Sequence, residues 1–129
     1  MVVAGCVVRP PTYSYREPVN FRSPSGNIAC YLDTSHVRCD IMERNWSAPP
    51  PPACEYDWGG SLGSDSYGWP ESLCISDTVF GGQSLVLGYG QSVQEGLLRC
   101  DSATSGVTCT DVRTGRGFSM SRESYSLFS

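Results

Sequence analysis

Apolar residues in this chain come in short runs separated by glycine, proline and serine, which is the texture of strands and turns. Val19-Asn20-Phe21 and the run from Asn27 to Leu32 flank Ser23-Pro24-Ser25-Gly26, a turn with proline and glycine in turn-favouring places, and Val37 to Ile41 continues the same sheet. Glu43 to Trp46 has the text of a single helical turn, ended by Ser47-Ala48-Pro49-Pro50-Pro51-Pro52, where neither a helix nor a central strand can continue. The proline run reads as a stiff extended connector to Cys54. From Glu55 to Pro70 glycine, serine and aromatics follow without period, predicting a long structured loop at 55–70. Strand-like text resumes at Leu73–Ile75, Thr78–Phe80, Ser84–Leu87, Gly96–Cys100, Gly106–Val112 and Gly117–Met120. About seven or eight short, closely spaced strands predict an all-β fold: a small disulfide-stapled sandwich or partly open barrel built from hairpins. Residues 19–129 then form one domain, and 1–18 a lipobox-like start with a flexible Pro/Tyr-rich tether.

Cysteine sharpens this outline. There are seven, and two pairs, Cys30/Cys39 and Cys100/Cys109, share one spacing inside similar strand-turn-strand texts. Setting Cys6 aside leaves an even number, and local hairpin closure favours Cys30–Cys39 and Cys100–Cys109, with Cys54–Cys74 following by elimination. Chain entropy puts each short hairpin bridge at about 2.7 kcal/mol. Such bridges matter in a domain this small, which buries only roughly two thirds of its surface. They also predict an oxidising, exported setting in preference to a zinc site, whose ligands need closer spacing.

Val3-Ala4-Gly5-Cys6 has the form of a bacterial lipobox, making Cys6 the candidate lipid-attachment residue. Five residues precede it, fewer than a signal peptide needs, so this reading places the start inside a longer leader; a free thiol in the arm and an intermolecular bridge are the alternatives. No later stretch has eighteen consecutive apolar residues, which leaves the lipid on Cys6 as the expected membrane connection. Thirteen acids against nine arginines give a formal charge of -4 with no basic cluster, which argues against a nucleic-acid partner. Lysine is absent, which removes any Schiff-base or phosphate-loop lysine.

Catalytic text is thin. Gly59-Gly60-Ser61-Leu62-Gly63 spells the G-x-S-x-G of a hydrolase elbow, but that elbow needs a buried strand before it and a helix after it, whereas proline-rich chain and Asp57-Trp58 precede it here and Ser64-Asp65-Ser66-Tyr67-Gly68 follows. His36, the single histidine, falls in a turn and reads as solvated. Asp57 and Asp65 lack the acid ladder of a calcium loop. No cofactor or metal is expected, and no enzymatic activity. The stretch that stands out is Tyr56-Asp57-Trp58 with Tyr67-Gly68-Trp69: aromatic faces that stack on sugars or a partner, with a carboxylate to accept hydrogen bonds. The competing reading folds Trp58 and Trp69 inward as a small core over Cys54–Cys74.

Taken together, the run from Phe21 to Cys30, Val37-Arg38-Cys39-Asp40-Ile41, Leu87-Gly88-Tyr89-Gly90, Arg99-Cys100, Gly106-Val107-Thr108-Cys109 and the ending from Gly115 to Tyr125 resemble an uncharacterised disulfide-bearing domain of secreted proteins and lipoproteins from mycobacteria and related actinobacteria. The resemblance implies export and disulfides and carries no activity. The expected function is a non-catalytic cell-envelope binding or interaction module, a monomer whose partner is cell-wall glycan or an envelope protein. A structural or protective envelope lipoprotein is the alternative, and a small secreted hydrolase comes last. In native, membrane-extracted protein the Cys6 peptide is expected to carry the added mass of lipid by mass spectrometry; an unmodified thiol there contradicts the anchor.

Overall fold

The computed structural model describes the backbone of Thr12–Ser14 and residues 18–129 in full. Cys6 and most of the segment read as a tether lie outside the described residues. The strands are β1 (Thr12–Ser14), β2 (Val19–Arg22), β3 (Ile28–Leu32), β4 (His36–Ile41), β5 (Ser61–Asp65), β6 (Pro70–Ser72), β7 (Leu85–Val86), β8 (Ser92–Glu95), β9 (Leu98–Ala103), β10 (Gly106–Asp111), β11 (Gly117–Met120) and β12 (Tyr125–Phe128). Among the described residues there is no helix. The strands form two open sheets, ordered β6-β5-β4-β3-β2-β7 and β1-β8-β9-β10-β11-β12, whose apolar faces share one core. The expectation of an all-β, disulfide-stapled sandwich is met.

Each sheet is an antiparallel meander of five strands, β2–β6 or β8–β12, with one short parallel strand added at the edge. The two added strands are exchanged: β1, which leads the first meander, pairs with β8, and β7, which leads the second, pairs with β2. Registers match as well. Phe21 lies between Cys30 and Leu85, and Val93 between Cys100 and Tyr13, while Cys39 opposes Leu62 and Cys109 opposes Phe118. The repeated cysteine spacing is therefore the visible trace of two equivalent half-domains.

Strand alternation explains why these segments pair as they do. On β10, Val107, Cys109 and Asp111 are buried while the residues between them are half-buried, and on β2 Val19 and Phe21 point inward with Asn20 and Arg22 outward. Cys30 and Cys39 are direct cross-strand partners, as are Cys100 and Cys109, with Cα atoms 4.1 and 4.0 Å apart. All four are buried, and the Cys39 and Cys109 Sγ atoms meet across the core at 3.8 Å. Phe21, Leu32, Leu62, Leu87, Phe118 and Met120 pack around this centre, each contributing about 1.5–3 kcal/mol by leaving water.

Several local expectations are corrected. The loop at 55–70 contains β5, a central strand; its text shows no alternation because Ser61, Leu62, Gly63 and Ser64 are all buried. A side chain at Gly63 would meet Val37 O and Leu73 Cδ1 at 2.8 Å, so small residues belong there. Leu73–Ile75 and Thr78–Phe80 are not strands. The strand is β6, and Ile75 makes only an isolated bridge with Asp57, because Cys74 is tied to Cys54 and Val79 N donates to a carboxylate. Glu43–Trp46 forms bends and no helical turn: Glu43 exchanges backbone bonds with the Asn27 side chain and Asn45 N donates to Arg122 O. Within the segment read as tether, Thr12–Ser14 is strand β1, since the second sheet leaves an edge for it.

One difference between the halves remains. Residues 42–60 join β4 to β5, whereas 112–116 suffice between β10 and β11. The longer connection is anchored by Trp46, whose Nε1 donates to Ser121 O at 2.7 Å and whose ring lies 4.7 Å from that of Tyr125, and by buried Ala48. Removing the hairpin bridge in a Cys100→Ala/Cys109→Ala variant is expected to lower unfolding free energy by about 3 kcal/mol in urea, from lost loop closure and core contact. An unchanged midpoint contradicts the central role of the bridge.

Candidate functional site

The long connection and the chain after β6 enclose a cleft of about 410 Å³. Its floor is Asp40, set on β4 directly opposite Ser61 on β5. The carboxylate accepts two bonds from Arg38, at 3.0 and 2.9 Å, one from Ser61 Oγ at 2.7 Å and one from Val79 N at 3.0 Å. A buried charge needs this degree of satisfaction. Arg38 also donates to the Asp77 carboxylate at 2.8 Å and to Asp77 O at 3.0 Å, strapping residues 77–79 over the sheet. Burial works against the guanidinium charge, but Asp40 and Asp77 outweigh it and raise the Arg38 pKa.

The rim supplies binding chemistry. Trp58 is 43% exposed and faces a space also lined by Met42, Ile75 and Phe80. Asp57 is held by two backbone bonds with Ile75, at 3.0 and 2.9 Å, and its carboxylate has no hydrogen bond or ion pair among the described residues. Arg44 donates from Nε to Gly59 O at 3.2 Å and also lines the cleft. The lining is mixed, with charged and hydroxyl groups beside the Trp58 face, a makeup suited to a polar ligand. The sequence reading identified Asp57 and Trp58 but missed Arg44, Ile75 and Phe80; the Asp57–Ile75 pairing beside the Cys54–Cys74 bridge and the Arg44 bond to Gly59 O join distant stretches of chain there.

The five candidate binding residues do not form one surface. Tyr56, Asp57 and Trp58 precede β5, whereas Tyr67 and Trp69 follow it, about 13 Å of strand away. All four aromatics are exposed, so the inward-folded reading of Trp58 and Trp69 fails; Trp46 is the tryptophan that docks on the core. Asp65 accepts bonds from the Tyr67 and Trp69 N–H groups at 2.9 and 3.1 Å and shapes their turn, remote from Asp57, so the two acids do not meet at a calcium site. His36 sits at the start of β4, 3.3 Å from Asp33 and tilted over Tyr31, while Ser61 lies opposite the far end of that strand. These two do not assemble into a hydrolase dyad. The sulfurs of Cys30, Cys39 and Cys109 lie within 4.8 Å of one another, but all are engaged in disulfides.

Beside Tyr67 the structure places an ion pair between a buried acid and an exposed arginine. Asp111 is fully buried and accepts from Arg113 Nη2 at 2.7 Å, from Nε at 3.2 Å and from the Arg113 N–H at 2.8 Å. The Arg113 guanidinium holds this carboxyl below the usual carboxylate range, against desolvation and with help from backbone N–H groups. A lowered folded-state pKa gives stability that is present above the unfolded value, about 3.9, and lost as pH falls through the folded one. Stability is therefore expected to hold near neutrality and to decline below about pH 4. Arg113→Gln is expected to lower stability at pH 7 and flatten that decline, as read by urea unfolding across pH; an Arg113→Gln profile identical to wild type contradicts the coupling.

No curated protein and no solved structure matches the chain. A family model matches residues 4–128, so the half-domains and the cleft together lie within its span. By that match the chain belongs to the family of unknown function DUF6636.

Proposed function

We propose that this protein is a non-catalytic binding module of the cell envelope, exported and disulfide-bonded, and that the cleft beside Trp58 receives a segment of cell-wall glycan. What supports this reading is one observation: a half-exposed indole and an unpaired Asp57 carboxylate share a cleft whose backbone is fixed by the Cys54–Cys74 bridge and the Asp57–Ile75 pairing. The flat C–H face of a sugar ring stacks on an indole, and ring hydroxyls donate to a carboxylate. Because the walls are held before the ligand arrives, little ordering entropy opposes binding. Asp40, the other acid at this site, has its oxygens occupied by Arg38, Ser61 and Val79, so it contributes shape and not proton transfer.

Lipidation of Cys6 would place such a module at the membrane surface, facing the wall, with β1 only a few residues along the chain from the anchor. The alternative, a structural or protective envelope lipoprotein, needs the sandwich but not the cleft. The two readings separate on one variant. Trp58→Ala is expected to weaken binding to soluble peptidoglycan fragments by about tenfold, consistent with loss of one stacking platform, while Tm moves by no more than about 3 °C. Calorimetric titration checks the first quantity and thermal unfolding the second. Wild-type protein that binds no fragment, or a Trp58→Ala variant that binds as wild type, defeats the glycan reading.

A further inference from the structure

The far end of β5 carries a different chemistry. There the turn Asp65–Trp69 packs against the turn that follows Asp111, closely enough that a Cβ at Gly68 would stand 2.6 Å from Arg116 O. With φ at +79° to +103° common among the glycines of this chain, Gly68 at +83° has both the space and the backbone reasons to remain glycine. This approach sets the Arg116 guanidinium 3.9 Å from the centre of the Trp69 ring and Arg113 5.7 Å from that of Tyr67. Nothing in the sequence announces the meeting, because the two turns belong to different sheets.

We propose that Tyr67, Trp69 and Arg116 form a second binding site, separate from the cleft, that takes an acidic polysaccharide through carboxylates borne on its sugar rings. Arg113 is engaged by Asp111, whereas Arg116 has no carboxylate partner among the described residues. The nearby acid Asp65 directs Oδ1 to its own turn. Contact with the Trp69 ring braces the Arg116 guanidinium, whose fork of N–H donors suits a planar, two-oxygen acceptor. The aromatics are 59% and 48% exposed, with Arg116 bracing Trp69 from one side, so flat apolar surface stands next to an unpaired cation. A hexuronate residue matches both features at once, offering a C–H face for stacking and a carboxylate for the fork; a phosphodiester chain offers only the charge.

The test uses the full, oxidised chain with polygalacturonate as probe and its methyl ester as the uncharged counterpart, compared by affinity electrophoresis. Polygalacturonate is expected to retard the protein, and the ester to bind at least about tenfold more weakly. Arg116→Gln and Trp69→Ala are each expected to lose about tenfold in affinity, Arg116→Lys to lose less, and added salt to weaken binding throughout. Trp58→Ala is expected to bind polygalacturonate as wild type, so a failure here leaves the cleft reading standing, and the reverse holds for peptidoglycan fragments. No retardation by polygalacturonate, equal binding of the ester, or wild-type affinity in both Arg116 variants overturns the proposal.

Discussion

Two cross-strand disulfides touch in the middle of this sandwich, Cys39 against Cys109 at 3.8 Å, and every other arrangement in the molecule is compatible with that contact. Each bridge joins directly opposed residues of a hairpin, so each fixes the register of its own sheet. Because both occupy the inner face, their contact also fixes how one sheet lies over the other. Phe21 and Val93 stand in equivalent places beside the first cysteine of each pair, and Leu62 and Phe118 beside the second. The core is thus repeated as well as the strand order.

Repetition explains the scaffold, and departures from it explain where binding chemistry collects. The connection at 42–60 is long in the first half and short in the second, and the long version brings Arg44, Asp57 and Trp58 to a cleft floored by Asp40. The Cys54–Cys74 bridge has no counterpart in the second half, and it holds the added chain in place. At the other end the short turn after Asp111 works differently. Its two arginines lie over aromatics of the first half, so that surface exists only because the sheets are stacked.

Much of the fold was legible because hairpins are local. The text around Cys30/Cys39 and Cys100/Cys109 carried strand, turn and bridge together, and the pairing of Cys54 with Cys74 followed from what remained. β5 was hidden because a strand of Ser61-Leu62-Gly63-Ser64 buried on both sides has no alternation to read. The exchange of β1 and β7 was hidden too, since parallel edge pairing joins segments far apart in the chain. Of the candidate site, the aromatics stood out in the sequence, but whether they faced solvent or a small core was left open there, and their division into two surfaces was not legible. That division depends on β5 lying between them. Arg113 and Arg116 carried no signal at all, because their aromatic partners are distant in sequence.

The disulfide contact can be seen directly by locating the sulfur atoms from their anomalous scattering in crystals of the oxidised protein. The account predicts one central group of four sulfurs, bonded Cys30–Cys39 and Cys100–Cys109, with Cys39 and Cys109 in contact and Cys54–Cys74 standing apart. Bridges running between the two hairpins, or two hairpin bridges lying far apart with no sulfur contact between the sheets, would contradict it.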